Sequence, residues 1–521
     1  MMKTDCTYVT YDQTGYFSKI VSDYLSGNEN MKPFYEHEVS VAGIRAAIQN
    51  RRSFPTNRKL LVETLEARYE GLETAPLLRK HIQQLGEENT FTITTAHQPN
   101  IFTGPFYFAY KILHTVKLAA TLAKELPDCN FVPVYYMGSE DADLDEVGTA
   151  TIQGKKYQWK TSQTGAVGRM KVDKAFLQLM AEMRGQLGVQ PFGNEVVNLF
   201  QTYYTEGALI QQATLGLVNA LFGKYGVVVL VPDHPAYKRA FAPVLEKELR
   251  EQFSHKAVSE TLAQLSRHYK VQAGGRDINL FYLTDTNRER IEFPAFSLEQ
   301  LLNDLKQYPE RFSPNVILRG VLQETLLPNV AFIGGGGELA YWLELKNVFA
   351  TAGVPYPVLV LRNSFVWVEE KRAAQLADMG LDLADLFLPM HDQMNKITRV
   401  KSEHPTSLEK ELTAMREVYA SIECAACNID NSLKQHVQAL RTVALKKLEQ
   451  LEKKMLRAEK RKFGQEAERL ELIRKELLPN NNLQERVENM SLMYSRYGSE
   501  IMDIILEHSL SLEQQFGIIK Y

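Results

Sequence analysis

Between residues 91 and 361 the hydrophobic positions gather into five short unbroken runs. They are "FTITTA" (91–96), "FVPVYYM" (131–137), "GVVVLV" (226–231), "NVAFIG" (329–334) and "YPVLVL" (356–361). Apolar runs without polar alternation, rich in β-branched and aromatic residues, suit strands of a parallel sheet buried on both faces. Helical segments separate them, so the pattern predicts an α/β fold with a doubly wound parallel sheet. The second and third gaps are far longer than one crossover helix needs, which places insertions at about 150–225 and 235–315. Ahead of the first run the periodicity is helical, as in "RKLLVETLEARYEGL" (58–72).

Past about residue 400 the strand-like runs stop. "PTSLEKELTAMREVYASIECAA" opens with Thr406 and Glu409 spaced as a capping box behind Pro405. Leu408, Leu412, Met415, Tyr419, Ile422 and Ala426 then alternate in steps of four and three, and Leu433, Val437, Leu440, Ala444, Leu448, Leu451, Met455 and Ala458 continue the seam. With a turn at Asn428–Asn431, this predicts an antiparallel coiled-coil hairpin over 405–478 and a return helix at Gln465–Leu478. The remaining divisions are a core over 1–400 and a helical segment, 479–521, that packs back on it.

Composition narrows the classes. A chain of 521 residues exceeds one hydrophobic core. Its 45% apolar and 24% charged residues are those of an ordinary globular protein, and a formal charge of −3 gives no reason to expect nucleic acid as a partner. Four scattered cysteines form no disulfide framework, and neither a signal peptide nor a membrane-spanning run is present, so a cytoplasmic, reduced location is expected. Cys424 and Cys427 form a lone CxxC on a heptad helix, read as core cysteines. The basic stretch "KKLEQLEKKMLRAEKRK" alternates with Glu and is read as a solvated helix face.

In an open parallel sheet, ligands sit beyond the carboxyl ends of the strands. After the first strand comes "HQPNIFTGPFYFAYK" (97–111), where Thr103 or Gly104 is placed to cap a helix and Pro105 to enter its first turn. Such a helix end attracts anions, and His97, Gln98 and Lys111 would add donors. A plain strand–turn–helix connection is the competing reading. The second strand runs into Glu140, Asp141, Asp143, Asp145 and Glu146, which need a cation, a substrate ammonium or full solvation; the solvated loop is the plainer case. No EF-hand spacing is present, and no metal site is assigned. The fourth strand enters "GGGGELAYWLELK" (334–346), neither GxGxxG nor a P-loop, with Glu338 at the helix start. Arg362 and Asn363 follow the fifth strand, and Gln484, Arg486 and Asn489 form a polar group near the C-terminus.

Taken together, "TTAHQPNIFTGPFYFAYK", "PVYYMGSEDADLDEV", "FSPNVILRGVLQETLLPNVAFIGGGGELAYW", "VLRNSF" and "LLPNNNLQERVENMSLMYSRYG" resemble the family of the bacillithiol biosynthesis cysteine-adding enzyme, a cysteine ligase. The matches keep their order from about residue 90 to 500. The resemblance implies a Rossmann-type core related in shape to class I aminoacyl-tRNA synthetases, a C-terminal coiled coil and a homodimer. It implies a ligase that joins the carboxyl of cysteine to the amine of glucosaminyl malate, with ATP as energy source and a bound adenine nucleotide (ATP or ADP); Glu140, Asp141 and Asp145 are read as holding the cysteine ammonium or a magnesium ion.

Thr95, Gln98, Thr103, Gly104, Pro105, Tyr107 and Lys111 match the first motif, and Glu140, Asp141 and Asp145 the acidic one. Asn315, Arg319, Gly335, Gly337, Glu338, Tyr341 and Trp342 match the glycine-rich segment; Leu483, Gln484, Glu485, Arg486 and Asn489 match the tail. On this basis His97, Gln98, Lys111, Glu140, Asp141 and Asp145 are the expected catalytic group. Gly335, Gly337, Glu338, Gln484, Arg486 and Asn489 are expected at the nucleotide, and Thr103, Gly104, Tyr107, Arg319, Arg362 and Asn363 at the substrate. Two departures stand out. Ala96-His97-Gln98 replaces Gly-Gln-Gln, so His97 is not a family-wide catalyst. Gly335-Gly336-Gly337-Glu338 replaces Gly-Pro-Gly-Glu, which predicts a more mobile loop. Lys396 is the candidate for a second catalytic lysine. The rival functions are a synthetase or nucleotidyltransferase acting on another carboxylate and a non-catalytic coiled-coil interaction protein.

Overall fold

The structure is a computed structural model that describes residues 3–271, 274–293 and 295–521. It divides into two compact units. The first comprises Thr10–Phe365 and Asn482–Gly517, and the second Val366–Asn481 with residues 3–9 and Ile518–Tyr521. The division thus falls at Phe365, well before the point near 400 where the strand-like pattern fades.

In the first unit the five apolar runs become β1 (Thr90–His97), β2 (Asn130–Met137), β3 (Val228–Leu230), β4 (Asn329–Gly334) and β5 (Val358–Leu361). All neighbours are parallel, in the order β5-β4-β1-β2-β3. The chain therefore builds outward from β1 to β3, then returns to place β4 on the other side of β1. Where the direction reverses, crossovers leave on opposite faces and a crevice opens at the strand tips. Three helices border that crevice: α1 (Tyr107–Glu125) follows β1, α2 (Val316–Leu326) precedes β4, and α3 (Gly336–Trp342) follows it. Phe91, Ile93, Val330, Ile333, Val358 and Val360 pack with Leu118 and Leu122 of α1 and with Ile44 and Ile48. Each such side chain contributes roughly 1.5–3 kcal/mol.

The amino ends of the strands hold a buried polar network. Arg51 donates to Glu324 Oε2 at 2.8 Å, to the Glu324 carbonyl at 2.7 Å and to the Asn329 carbonyl at 3.1 Å. Gln323 and Asn329 fill the other carboxylate oxygen at 2.9 and 2.8 Å, and Thr92 and Thr94 donate to Asn329 Oδ1. Each of these groups has a partner.

Both insertions carry strands that apolar patterning did not predict. The first contains a hairpin, Thr149–Ile152 with Lys155–Gln158. The second contains an antiparallel sheet in which Leu280–Leu283 lies between Arg288–Arg290 and Phe312–Pro314. These strands are three or four residues long, too short to establish an alternation. The helical reading of the first ninety residues holds for Val41–Arg52, Arg58–Tyr69 and Pro76–Gln84.

In the second unit α4 (Glu409–Ile429) and α5 (Leu433–Lys460) form the coiled-coil hairpin, and α6 (Gly464–Leu477) is the return helix. The capping box does not form: Leu408 stands at the N-cap of α4, with no side-chain cap. Leu412 and Val437 are buried in the seam, whereas Ile422, Leu440 and Leu451 remain 45–48% exposed. Cys424 is exposed and Cys427 half-buried, both free, which corrects their reading as core residues. Lys396 is held by Asp385 at 2.5 Å and Asp382 at 3.2 Å. Asp5–Thr10, Gln515–Lys520 and Phe365–Val368 add a three-stranded sheet.

Candidate active site

The turn after β1 is strained. Phe102 and Thr103 have φ of 53° and 72°, followed by Gly104 at 65°. Left-handed backbone costs about 1–3 kcal/mol per non-glycine residue unless its surroundings impose it. Gly104 has a second reason to be glycine, because a Cβ there would lie 2.7 Å from that of Asn100. Asn489 holds the turn, donating through Nδ2 to the carbonyls of Phe102 (2.8 Å) and Gly104, while its Oδ1 accepts from Ser491 N–H at 2.9 Å. Next to it, Phe106 N–H donates to the Glu488 carbonyl at 2.8 Å. Two expectations are corrected here. Helix α1 begins after Phe106 without a side-chain cap, so neither Thr103 nor Gly104 caps it. Asn489, with both amide donors and its oxygen engaged, is a clamp on the turn rather than a nucleotide contact.

About one turn into α1, Lys111 turns back under the tip of β1. Its side chain is 1% exposed, with Nζ 2.6 Å from Glu338 Oε2 and donating also to the Ala96 carbonyl. Glu338 Oε2 in turn accepts from Gly335 N–H at 2.8 Å. Burial pushes Lys111 below the usual lysine range and Glu338 pulls it back up, with Arg362 and Arg319 adding smaller downward pushes. The glycine tract is built into β4 and the start of α3, not a loose loop, and none of its residues has a positive φ. Its need is space. A Cβ on Gly334 would come within 2.8 Å of Leu339 and Phe332, whereas one on Gly337 would meet nothing within 4 Å.

Around this pair stand donors with capacity to spare. The His97 ring packs 5.5 Å from Tyr107 and 5.4 Å from Phe108, and its buried Nε2 has no hydrogen-bond partner. Burial first, then Lys111, Arg319 and Arg362, hold this histidine well below its ordinary pKa, so it is neutral. Arg362 is 2% exposed. It donates to Glu485 at 2.7 Å, to Ser364 Oγ at 2.8 Å and to the Asn363 carbonyl at 2.9 Å, and lies 4.8 Å over the Tyr107 ring. Its Nε has no partner, and a Cβ on Gly335 would sit 3.6 Å from it. Burial pushes the Tyr107 hydroxyl up to about 12. Gln98 donates to Asp141 Oδ2 at 3.3 Å.

Several expected site residues are employed elsewhere. Glu140 is buried against Lys238 at 2.5 Å and accepts from Ser313 Oγ at 3.2 Å, an internal ion pair. Asp145 is exposed and accepts from Gln158 at 3.3 Å. The acidic loop therefore does not converge on one point: Asp141 lines the crevice, and Glu146 feels Arg319 and Tyr107 beside it. No group of three His, Cys, Asp or Glu side chains is placed to hold a metal among the described residues. Asn363 stitches in the tail: its N–H donates to His114 Nδ1 at 3.1 Å and its side chain to the Leu510 carbonyl at 2.9 Å. The buried Thr103 belongs to the strained turn. Arg486 is exposed, and Gln484 half-buried.

Beside Gly337 opens a cavity of about 550 Å³. Asp141, Arg276, Arg288, Arg290, Arg319 and Tyr341 line it. Arg319 comes from α2 and was anticipated. The other three arginines come from the second insertion and were not. Arg288 and Arg290, two apart, share one face of a strand, and that spacing is the signal that was available. Lys111, Asp141 and Glu338 thus lie past the tips of β1, β2 and β4, respectively.

Two family models match the chain in sequence. "Bacillithiol biosynthesis BshC, N-terminal Rossmann-like domain" covers residues 2–363, and "Bacillithiol biosynthesis BshC, C-terminal coiled-coil domain" covers 365–521. A relative from Flavobacterium johnsoniae, named "Putative cysteine ligase BshC", is 38% identical over 99% of this chain and 100% of its own. One of the same name from Flavobacterium psychrophilum is 37% identical over the full length of both, and one from Bacillus mycoides 25% identical over 96% and 98%. A solved structure described as "putative arginyl t-RNA synthetase from Campylobacter jejuni" aligns with 85% of this chain and all of that one, at 12% identity and a TM-score of 0.22. By two models that together span the chain and by relatives matched end to end, this protein belongs to the BshC family of bacillithiol biosynthesis.

Proposed function

We propose that this protein is a ligase that joins the carboxyl group of L-cysteine to the amine of glucosaminyl malate. The observation that carries the reading is the buried Lys111–Glu338 pair at the β1/β4 switch point, ringed by donors without partners. Amide formation develops negative charge on the carboxyl oxygen, and preorganised donors out of water stabilise that charge most strongly. Lys111 Nζ, His97 Nε2 and Arg362 Nε are donors or proton-bearing nitrogens of that kind. Neutral His97 offers one N–H, in the tautomer that places the proton on Nε2. The attacking amine must lose a proton, and Asp141, oriented by Gln98, is the carboxylate suited to receive it.

An adenine nucleotide fits the residues present. The unspent Nε of Arg362 beside Gly335 and the open space over Gly337 suit an anionic group. Gly335, Gly337 and Lys111 would hold its phosphates, with Arg486 as a further cation. When bound, ATP would supply the activation of the cysteine carboxyl. A magnesium ion would travel with the phosphates, as is usual where the protein offers no full cage of its own.

The direct test incubates the protein with cysteine, ATP and glucosaminyl malate and follows the products by mass spectrometry. The expected result is the condensed thiol together with AMP or ADP; absence of the thiol with all three substrates present would overturn the reading. We assign the working form as a cytoplasmic homodimer. Support comes from the exposed apolar residues Val418, Ile422, Leu440 and Val443 on the hairpin, and sedimentation of the full chain at micromolar concentration checks it.

A further inference from the structure

The cavity beside Gly337 has a charge pattern that the chemistry at Lys111 does not use. Four guanidinium groups, Arg276, Arg288, Arg290 and Arg319, face one carboxylate, Asp141. Behind this wall Glu140, already paired with Lys238, acts on Arg288, and Glu146 acts on Arg319. Arg276 has Glu292 at 3.8 Å, with both side chains more than half exposed. Arg288 lies flat on the Phe281 ring at 3.7 Å, and Arg290 reaches the same ring at 5.9 Å. Stacking fixes the plane of a guanidinium without occupying its N–H groups, and the buried Nε of Arg288 has no hydrogen-bond partner. Planar donors in this arrangement match carboxylates bidentately. Asp141 at the rim would repel a polyphosphate but suits an amine. The volume is in the range that takes a whole small-molecule ligand and exceeds what cysteine requires.

The walls are also rigidly tied together. Glu248, fully buried, accepts from Ser254 and from Asn279 N–H at 2.7–3.1 Å. Asn279 Oδ1 then accepts from Arg276 N–H at 3.1 Å and from Asn315 Nδ2 at 2.7 Å, and Asn315 caps α2, the helix of Arg319. One polar chain therefore sets Arg276 of the insertion against the helix that carries Arg319 of the core.

We propose that this arginine cavity is the acceptor subsite: it binds a dicarboxylate, the malyl part of the amino-sugar substrate, with the amine directed to Asp141. Specificity for the acceptor then resides in the inserted antiparallel sheet, through Arg288 and Arg290, not in the parallel-sheet core. The assignment of the dicarboxylate as malyl rests on the reaction proposed above; the preference for two carboxylates does not.

The test is calorimetric titration of the full chain with L-malate, L-lactate and tripolyphosphate, repeated on Arg288→Ala and on the more exposed Arg290→Ala. Malate is expected to bind, lactate at least tenfold more weakly, and malate affinity to fall tenfold or more in Arg288→Ala. Arg290→Ala should show a smaller loss in the same direction with an unchanged circular dichroism spectrum. In turnover, both variants should raise KM for glucosaminyl malate and leave KM for cysteine unchanged. Equal affinity for malate in wild type and both variants, tighter binding of tripolyphosphate that is lost in Arg288→Ala, or a rise confined to the KM of cysteine would each overturn the proposal. A wild type that binds malate selectively but forms no thiol would sink the ligase reaction and keep the dicarboxylate site.

Discussion

The two ends of the parallel sheet each bury an ion pair, and they are built on opposite rules. At the amino ends, Arg51 and Glu324 are sealed in with Gln323, Asn329, Thr92 and Thr94, so that charge and hydrogen-bonding capacity are spent. At the carboxyl ends, Lys111 and Glu338 sit among groups with capacity left over: His97 Nε2 and Arg362 Nε have no partner, and Glu338 is 24% exposed. A closed network holds strands together, whereas an open one holds potential for a ligand. Buried unsatisfied polar groups are costly enough that a cluster of them requires a reason. The same contrast separates two histidines. His114 uses both ring nitrogens, accepting from Asn363 N–H and donating to the Ser511 carbonyl at 2.7 Å, while His97 leaves one idle.

Breaking the closed end should have the largest effect. Arg51→Ala strands a buried carboxylate and is expected to cost about 3–5 kcal/mol in urea unfolding. Replacing both partners, Arg51→Met with Glu324→Leu, should restore much of that loss. Next is the closed histidine. Burial lowers the His114 pKa from 6.5 to about 4. The unfolded chain therefore takes up the proton first as pH falls, and the stabilisation present above pH 6.5 is lost on the way down to pH 4. The full contribution is roughly 3 kcal/mol, read as the difference in unfolding free energy between pH 7.5 and 4.5 that His114→Leu should abolish.

At the open end the effects should appear in catalysis instead. Lys111→Met is expected to lower turnover by roughly 2 kcal/mol or more in activation free energy. Glu338 is 24% exposed and keeps the Gly335 N–H, so it is less stranded than Glu324 and the loss of unfolding stability should be smaller than in Arg51→Ala; a fall as large would erase the contrast between the two ends. Smallest is Asn489→Ala, expected to cost about 1–2 kcal/mol of stability by freeing two buried carbonyls, measured by thermal unfolding.

Much of this architecture was legible in the sequence, for a physical reason. A strand buried on both faces has to be continuously apolar, so β1 to β5 declare themselves, and the chemistry of an open sheet has to lie just past their ends. That logic led to Lys111, Asp141 and Glu338. It failed wherever a residue's fate depends on a distant partner. Glu140 belongs to an acidic run by sequence, yet Lys238, on the helix Pro235–Glu251, neutralises it inside the fold. Asn489 reads as a polar residue free for a ligand, and its real partners lie in a turn whose left-handed backbone no composition rule predicts for Phe102 and Thr103. Arg288 and Arg290 went unread because their strand, Arg288–Arg290, is too short to carry a pattern, and Arg276 because it lies in a loop.

The clamp on that turn has a consequence for how the molecule is made. Asn489 and Gly104 are 385 residues apart, so the chain between them must be synthesised before the bond can close. A ribosome-bound chain that has emerged only as far as the hairpin carries Lys111 and Glu338 without the contact that secures the turn between β1 and α1. Completion of the crevice is thus tied to the arrival of the last segment, and a premature stop after the hairpin would release a protein with its sheet assembled and its reaction centre unfinished.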